Sequence, residues 1–440
     1  MRRAIVVPPF PLFTLLGLGI LLPWNVLLTS FPHFLLYLPS SAPFWVSNGY
    51  TGALFLALLG VSFRRCFGDF EMAVGGYLMM GLPLLICALA DPSLALLIPL
   101  SILVGAGDGL VQASLFRLAS AKPGGALVAA VMLGNGASGL FVTTLKVLCM
   151  VAVEGEGAQA KVYFAIGAVM IVGCVAAAEQ ARRQGEFRPD AGGRGGGEGD
   201  DIELMRLNRG DSDPVSPDKG GGMGGTKVID LDVSDSTDPG PEDQEDTQTY
   251  PAVIRQTIQP LLSVFLTFLL TLSCFPGLTT LISSQPFGAG REWYDTVIVL
   301  FFNLGDVAGR GSIGFLVRSH LRGKRWPKLL LPEKGEEVKG KLLFPVLLRF
   351  GFVVVFPLLV KRPQPPLVVF LLVFSLALTN GYAASLAMVT APKMVEGGKE
   401  RVVNVMLLGL FAGLAVGSAV GTGIEALFLK DSIDSTDSQQ

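Results

Sequence analysis

Asp306 and Arg310 stand four residues apart inside the apolar run VIVLFFNLGDVAGRGSIGFLV. On a helix that spacing puts an acid and a base on one face, where they can pair. In lipid each ionised group alone would cost about 2.5–3.5 kcal/mol on insertion scales, so the pair is expected to face a protein interior or a wet cavity. There it offers several fixed donors and acceptors to a polar solute; an ion pair that only locks helices together is the alternative reading.

Two further spots carry polar chemistry within apolar surroundings. In GAGDGLVQASLFRLAS, Asp108 and Gln112 are also spaced i, i+4, beside Gly105, Gly107 and Gly109. A buried amide has both donors and an acceptor, which suits the edge of a polar heterocycle, and equally suits interhelical hydrogen bonding. In LLPWN, Trp24 lies about halfway along its run. Membrane tryptophans favour the interfaces, so an indole at mid-span is a candidate stacking surface, with packing as the alternative.

These residues require membrane helices to position them. The 440-residue chain is 50% hydrophobic and only 16% charged, against roughly 25% charged in an average soluble domain, and its mean hydropathy is +0.55. Eleven apolar runs are long enough to cross the hydrocarbon, at about 11–36, 44–63, 71–90, 93–119, 124–152, 160–181, 253–282, 294–317, 343–361, 366–389 and 401–428. The expected fold class is therefore an all-α polytopic membrane protein with a six-helix half (1–181), a loop (182–252) and a five-helix half (253–440). The loop is rich in glycine and acid, and its composition predicts disorder; Ser212, Ser216, Ser234 and Ser236 lie in surroundings that kinases can reach.

Lys and Arg collect in loops on one side, notably Arg2, Arg3, Arg64, Arg65, Lys122 and the stretch Arg318–Lys341, whereas Lys361 and Arg362 fall on the other. The positive-inside rule then puts the N-terminus and the 182–252 loop in the cytoplasm and the C-terminus outside. The first run is too long for a signal peptide's apolar region and is read as a retained span. A formal net charge of -2 gives no reason to expect nucleic acid as a partner. With two histidines and five dispersed cysteines, no metal, disulfide framework or cofactor is expected.

The strings LGILLPWNVLLTS, QASLFRLAS, TLSCFPGLTTLI, FFNLGDVAGR and TNGYAASLAMVTAP, in this order, resemble the signature segments of the equilibrative nucleoside transporter family. The resemblance extends over nearly the whole chain and implies a fold like the major facilitator superfamily with one helix missing, in a 6+5 arrangement. It also implies a substrate cavity between the halves. By this resemblance Trp24 lines the cavity, Gln112 contacts the base, Phe275 is a span-seven aromatic, and Asn303, Asp306 and Arg310 form the span-eight motif. Arg310 is then expected near the ribose hydroxyls, with Asp306 holding or assisting it.

The chain departs from that pattern at Asp108, where a neutral small residue is usual, at Arg117, where glycine is usual, and at Lys146. Asp108 is expected either to pair with Lys146 across two helices or to carry protons, a task that intramembrane acids perform in pumps and transporters. Arg117 lies near a helix end, where it can snorkel or pair with neighbouring loops.

The resemblance implies alternating-access transport of nucleosides, or nucleobases, across a lipid bilayer, facilitative or proton-coupled, with the plasma membrane as the expected location. An organic cation or monoamine on the same fold is the first rival, since Asp108 would supply its counter-charge. A membrane-embedded enzyme is the second; the sequence has no HExxH and no GxSxG, and its best polar constellation has no obvious nucleophile.

Overall fold

Long apolar runs closed by proline, glycine or charge become helices in lipid, because each backbone group can be satisfied within its own segment. The computed structural model describes residues 7–187, 248–282, 291–331 and 342–437, apart from 36, 40–41, 65–66, 92, 328–329, 361–363 and 396. Among these, eleven helices are long and apolar enough to cross a membrane. Six precede residues 188–247: α1 (Pro9–Thr29), α2 (Ala42–Phe63), α3 (Asp69–Leu89), α4 (Leu94–Ala121), α5 (Ala126–Ala152) and α6 (Glu156–Arg183). Five follow: α7 (Tyr250–Cys274), α8 (Arg291–Leu321), α9 in two pieces (Leu343–Leu348 and Phe350–Val360), α10 (Pro366–Thr390) and α11 (Lys399–Asp437). Proline opens α1, α7 and α10, where the missing N–H has no partner to lose.

The eleven expected spans are all present as helices, with boundary shifts. The first run, read as 11–36, is α1 ending at Thr29 followed by a separate turn of helix at Phe31–Phe34. The loop read as 182–252 is shorter at both ends, since α6 runs through Arg183 and α7 starts at Tyr250. The expectation of disorder, and the four serines, lie in 188–247, outside the described residues.

Within the first six helices, α1 packs on α5 and α6, α4 on α2 and α3, and α3 on α6. Within the last five, α8 packs on α10, and α7 on α10 and α11. The two groups meet where α5 lies along α8 and where α4 approaches α11. Small residues set these close approaches, because without water there is no hydrophobic force between helices and packing must supply the attraction. On α11, Gly409, Gly413, Gly417 and Gly421 recur every four residues and lie against Leu261, Phe265, Leu269 and Leu272 of α7. Cys87, Cys149, Cys174 and Cys274 are buried free thiols, as their apolar context implies.

Candidate functional site

A hydrogen-bonded and stacked belt of polar side chains runs through eight of these helices. Its centre is α8, where Asp306 and Arg310 are only 6% and 5% exposed although both are ionisable, so a protein interior surrounds them rather than lipid. The i, i+4 spacing does what helix geometry requires: Arg310 Nε donates to Asp306 Oδ2 at 2.6 Å. The other carboxylate oxygen, Oδ1, accepts from Asn380 Nδ2 of α10 at 2.8 Å. Arg310 Nη1 lies 3.4 Å from the Met132 carbonyl of α5, and its Nη2 makes no hydrogen bond among the described residues.

Glycines on α5 make room for this stripe. A Cβ at Gly136 would fall 2.7 Å from Arg310 Cδ, and one at Gly139 would collide with the Asn303 amide. Asn303 donates to Thr143 Oγ1 of α5 at 2.7 Å, so α8 is hydrogen-bonded as well as packed against the other helix group. Next to Gly136, the buried Asn135 Oδ1 has no hydrogen-bond partner among the described residues. On the opposite flank of α5, Ser138 accepts from Asn25 Nδ2 at 2.9 Å, which ties in the tip of LLPWN on α1.

The second cluster lies in the first six helices. Trp24 stacks on Tyr50 of α2 with ring centroids 3.9 Å apart and planes within 4° of parallel. The Tyr50 hydroxyl donates to Asp108 Oδ2, and Gln112 Nε2 donates to Asp108 Oδ1 at 3.0 Å. Gly105 of α4 brings that helix against the Tyr50 backbone and makes the reach possible. Asp108 is wholly buried, and both its oxygens are committed to Tyr50 and Gln112. The expected pairing with Lys146 does not occur; helix spacing relates residues of one helix only, and the acid found nearer partners on α2 and on its own helix.

Phe275 stands apart from the belt. It follows α7 directly and stacks on Phe302 of α8 at 3.9 Å, within an apolar cluster that includes Tyr294, Phe301 and Phe370. It touches the α8 motif through Phe302, the neighbour of Asn303, rather than through a polar contact.

Arg117 is buried and pairs rather than snorkels, with acids at the loop-proximal ends of two helices. Its Nε donates to Asp69 Oδ1 at 2.8 Å, at the start of α3, and its Nη1 pairs with Glu400 at the start of α11. Odd-numbered helices begin on the face where α1 begins, so this three-residue network joins the two helix groups at that face.

Sequence reasoning missed Tyr50, Asn380 and Arg349. Arg349, only 2% exposed, sits at the break between the pieces of α9. Its signal was available: a lone base inside the apolar run LLFPVLLRFGFVVV. Tyr50 had none, since its partner is 58 residues away.

The family model described as "Nucleoside transporter" matches residues 100–426. A human protein named equilibrative nucleoside transporter 2 is 24% identical over 94% of this chain and 95% of its own. An Arabidopsis thaliana protein named equilibrative nucleotide transporter 8 is 23% identical over 92% of both chains. Among solved structures, the major facilitator superfamily transporter FucP, in the outward conformation, covers 97% of this chain and 92% of its own at a TM-score of 0.56 and 12% identity.

Proposed function

The chain belongs to the nucleoside transporter family, and from that premise we propose that it carries nucleosides across a membrane by alternating access, with the polar belt as the substrate site. The single observation that supports this most is Arg310: Asp306 holds its Nε, while Nη2 has no protein acceptor among the described residues. A braced guanidinium with a spare donor can bind a ribose hydroxyl without first breaking a protein contact. The Trp24 indole, stacked on one face by Tyr50, and the Gln112 amide supply a flat surface and a hydrogen-bonding edge for the base. Asn303 orients the motif against α5, and Phe275 supports it through Phe302.

In this reading the six-helix and five-helix groups rock about the site, parting in turn on either face. The Lys and Arg asymmetry of the loops supports a cytoplasmic position for the face that bears Asp69, Arg117 and Glu400, and the membrane assigned in this reading is the plasma membrane. Nucleobases are accepted where ribose contacts contribute little. No chemistry on the substrate is involved, and the relatives' names are those of transporters, not enzymes. Asp108, enclosed by Tyr50 and Gln112, is the group through which protons would couple.

The test is uptake of radiolabelled adenosine and uridine into liposomes holding the purified protein, with and without an inward proton gradient. Saturable flux that Arg310→Ala removes supports nucleoside transport; absence of flux with folded protein turns the search to amine cargo. If the gradient accelerates uptake, Asp108→Asn is expected to abolish that acceleration, and its persistence would end the proton role for Asp108.

A further inference from the structure

Arg349 is a buried cation with no carboxylate in hydrogen-bond reach among the described residues. Its Nε donates to Thr379 Oγ1 at 3.1 Å, its Nη1 to the Thr267 carbonyl at 3.1 Å, and its Nη2 to Thr271 Oγ1 at 2.6 Å and the Leu376 carbonyl at 3.4 Å. All of these acceptors are neutral, and a buried charge without an opposite charge is costly. The acid to which it is linked is Asp306, through two intervening side chains.

The direction of every bond in that link is fixed by chemistry. A carboxylate can only accept, so Asn380 must turn its NH2 to Asp306 Oδ1, at 2.8 Å. Its carbonyl oxygen then faces Thr271, 2.8 Å away, and requires the hydroxyl to donate. Thr271 in turn accepts from Arg349 Nη2 at 2.6 Å. Guanidinium, hydroxyl, amide and carboxylate thus form one chain of aligned donors with the positive end on α9 and the negative end on α8, an arrangement in which each bond polarises the next. Thr271 has one proton and an alternative acceptor for it, the Thr267 carbonyl at 2.8 Å; Arg349 Nη1 donates to that same carbonyl, so the guanidinium competes there and favours donation of the hydroxyl to Asn380.

The consequence falls on Arg310. A carboxylate and a guanidinium free to choose pair through two parallel bonds. Here Asn380 holds Oδ1 away, Asp306 grips Nε alone, and Nη2 has no acceptor among the described residues. We propose that Arg349 is a positioning residue for ribose recognition: acting through Thr271 and Asn380, it keeps Asp306 from closing on both nitrogens of Arg310 and so preserves the donor offered to substrate. The proposal rests on the reading of Arg310 as the ribose contact.

The experiment compares uridine with 2′,3′-dideoxyuridine in proteoliposomes of the full chain, for wild type, Arg349→Met, Arg349→Lys and Thr271→Val. With one charge-assisted hydrogen bond at stake, Arg349→Met and Thr271→Val are expected to raise KM for uridine about tenfold while dideoxyuridine changes less than about twofold. Arg349→Lys, which keeps the charge, is expected to recover most of the difference. An equal rise for both nucleosides, or a fall in maximal rate alone, would overturn the proposal. A second measurement needs no substrate: the thermal midpoints of Arg349→Met, Asp306→Asn and the double variant. The relay predicts that the double variant loses at least about 3 °C less than the two single shifts together, whereas additive shifts would refute it. If wild-type protein carries neither nucleoside, the transport reading fails and the thermal cycle still decides the relay.

Discussion

Arg310 and Arg117 are both buried arginines bonded to carboxylates, yet their partners lie in different places along the chain. Arg310 takes its acid from its own helix, so the pair travels with α8 whatever the helix groups do. Arg117 takes one acid from α3, within its own group, and another from α11, across the divide. When the groups part on that face, the Asp69 contact survives and the Glu400 contact must break. Burial alone does not distinguish a permanent fixture from a latch; the sequence position of the partner does.

The largest effect should come from breaking the permanent pair. Asp306→Ala leaves Arg310 buried without its acid, and such losses run to about 3–5 kcal/mol; a marked fall in the thermal midpoint of the purified protein is expected, and an unchanged midpoint would mean the pair is wetter than its 6% and 5% exposures imply. An intermediate effect is expected from Gly136→Ala, whose methyl group would meet Arg310 Cδ at 2.7 Å. Overpacking of this kind costs about 1–3 kcal/mol, and Gly60→Ala, with none of the described residues within 4 Å of the added carbon, is the control for helix propensity. The smallest stability effect belongs to the latch. Glu400 is 36% exposed at its side chain, so Glu400→Gln should cost no more than about 1 kcal/mol. It should nevertheless shift the balance of closed and open forms at that face by up to about fivefold, read as faster thiol labelling of a cysteine placed beside Asp69. Equal labelling in both proteins would remove Glu400 from the latch.

The sequence made the helices legible because lipid imposes one rule on every span, length and apolarity, and the eleven runs satisfy it. It made Asp306 and Arg310 legible because their pairing is local to one helix. Cross-helix relations were beyond it. Nothing near Asp108 in sequence distinguishes Tyr50 from Lys146 as its partner, and the choice was made by the close approach at Gly105. Asn380 reads as one polar residue in a helix of small ones until Gly381, whose bare backbone lies against the Asp306 carbonyl, brings α10 close enough for the amide to reach the acid.

The Asp69–Arg117–Glu400 network also bears on what can be accumulated. A latch belongs to the protein on every pass round the transport cycle, so the free energy released when it closes is returned in full when it opens. Strengthening it lengthens the stay in one form and slows the turnover limited by that form. In the product of forward and reverse rate constants around the loop, however, it cancels. Edits at Arg117 or Glu400 can therefore change how quickly the nucleoside distribution across the membrane reaches its final ratio, while that ratio is left to the solutes alone.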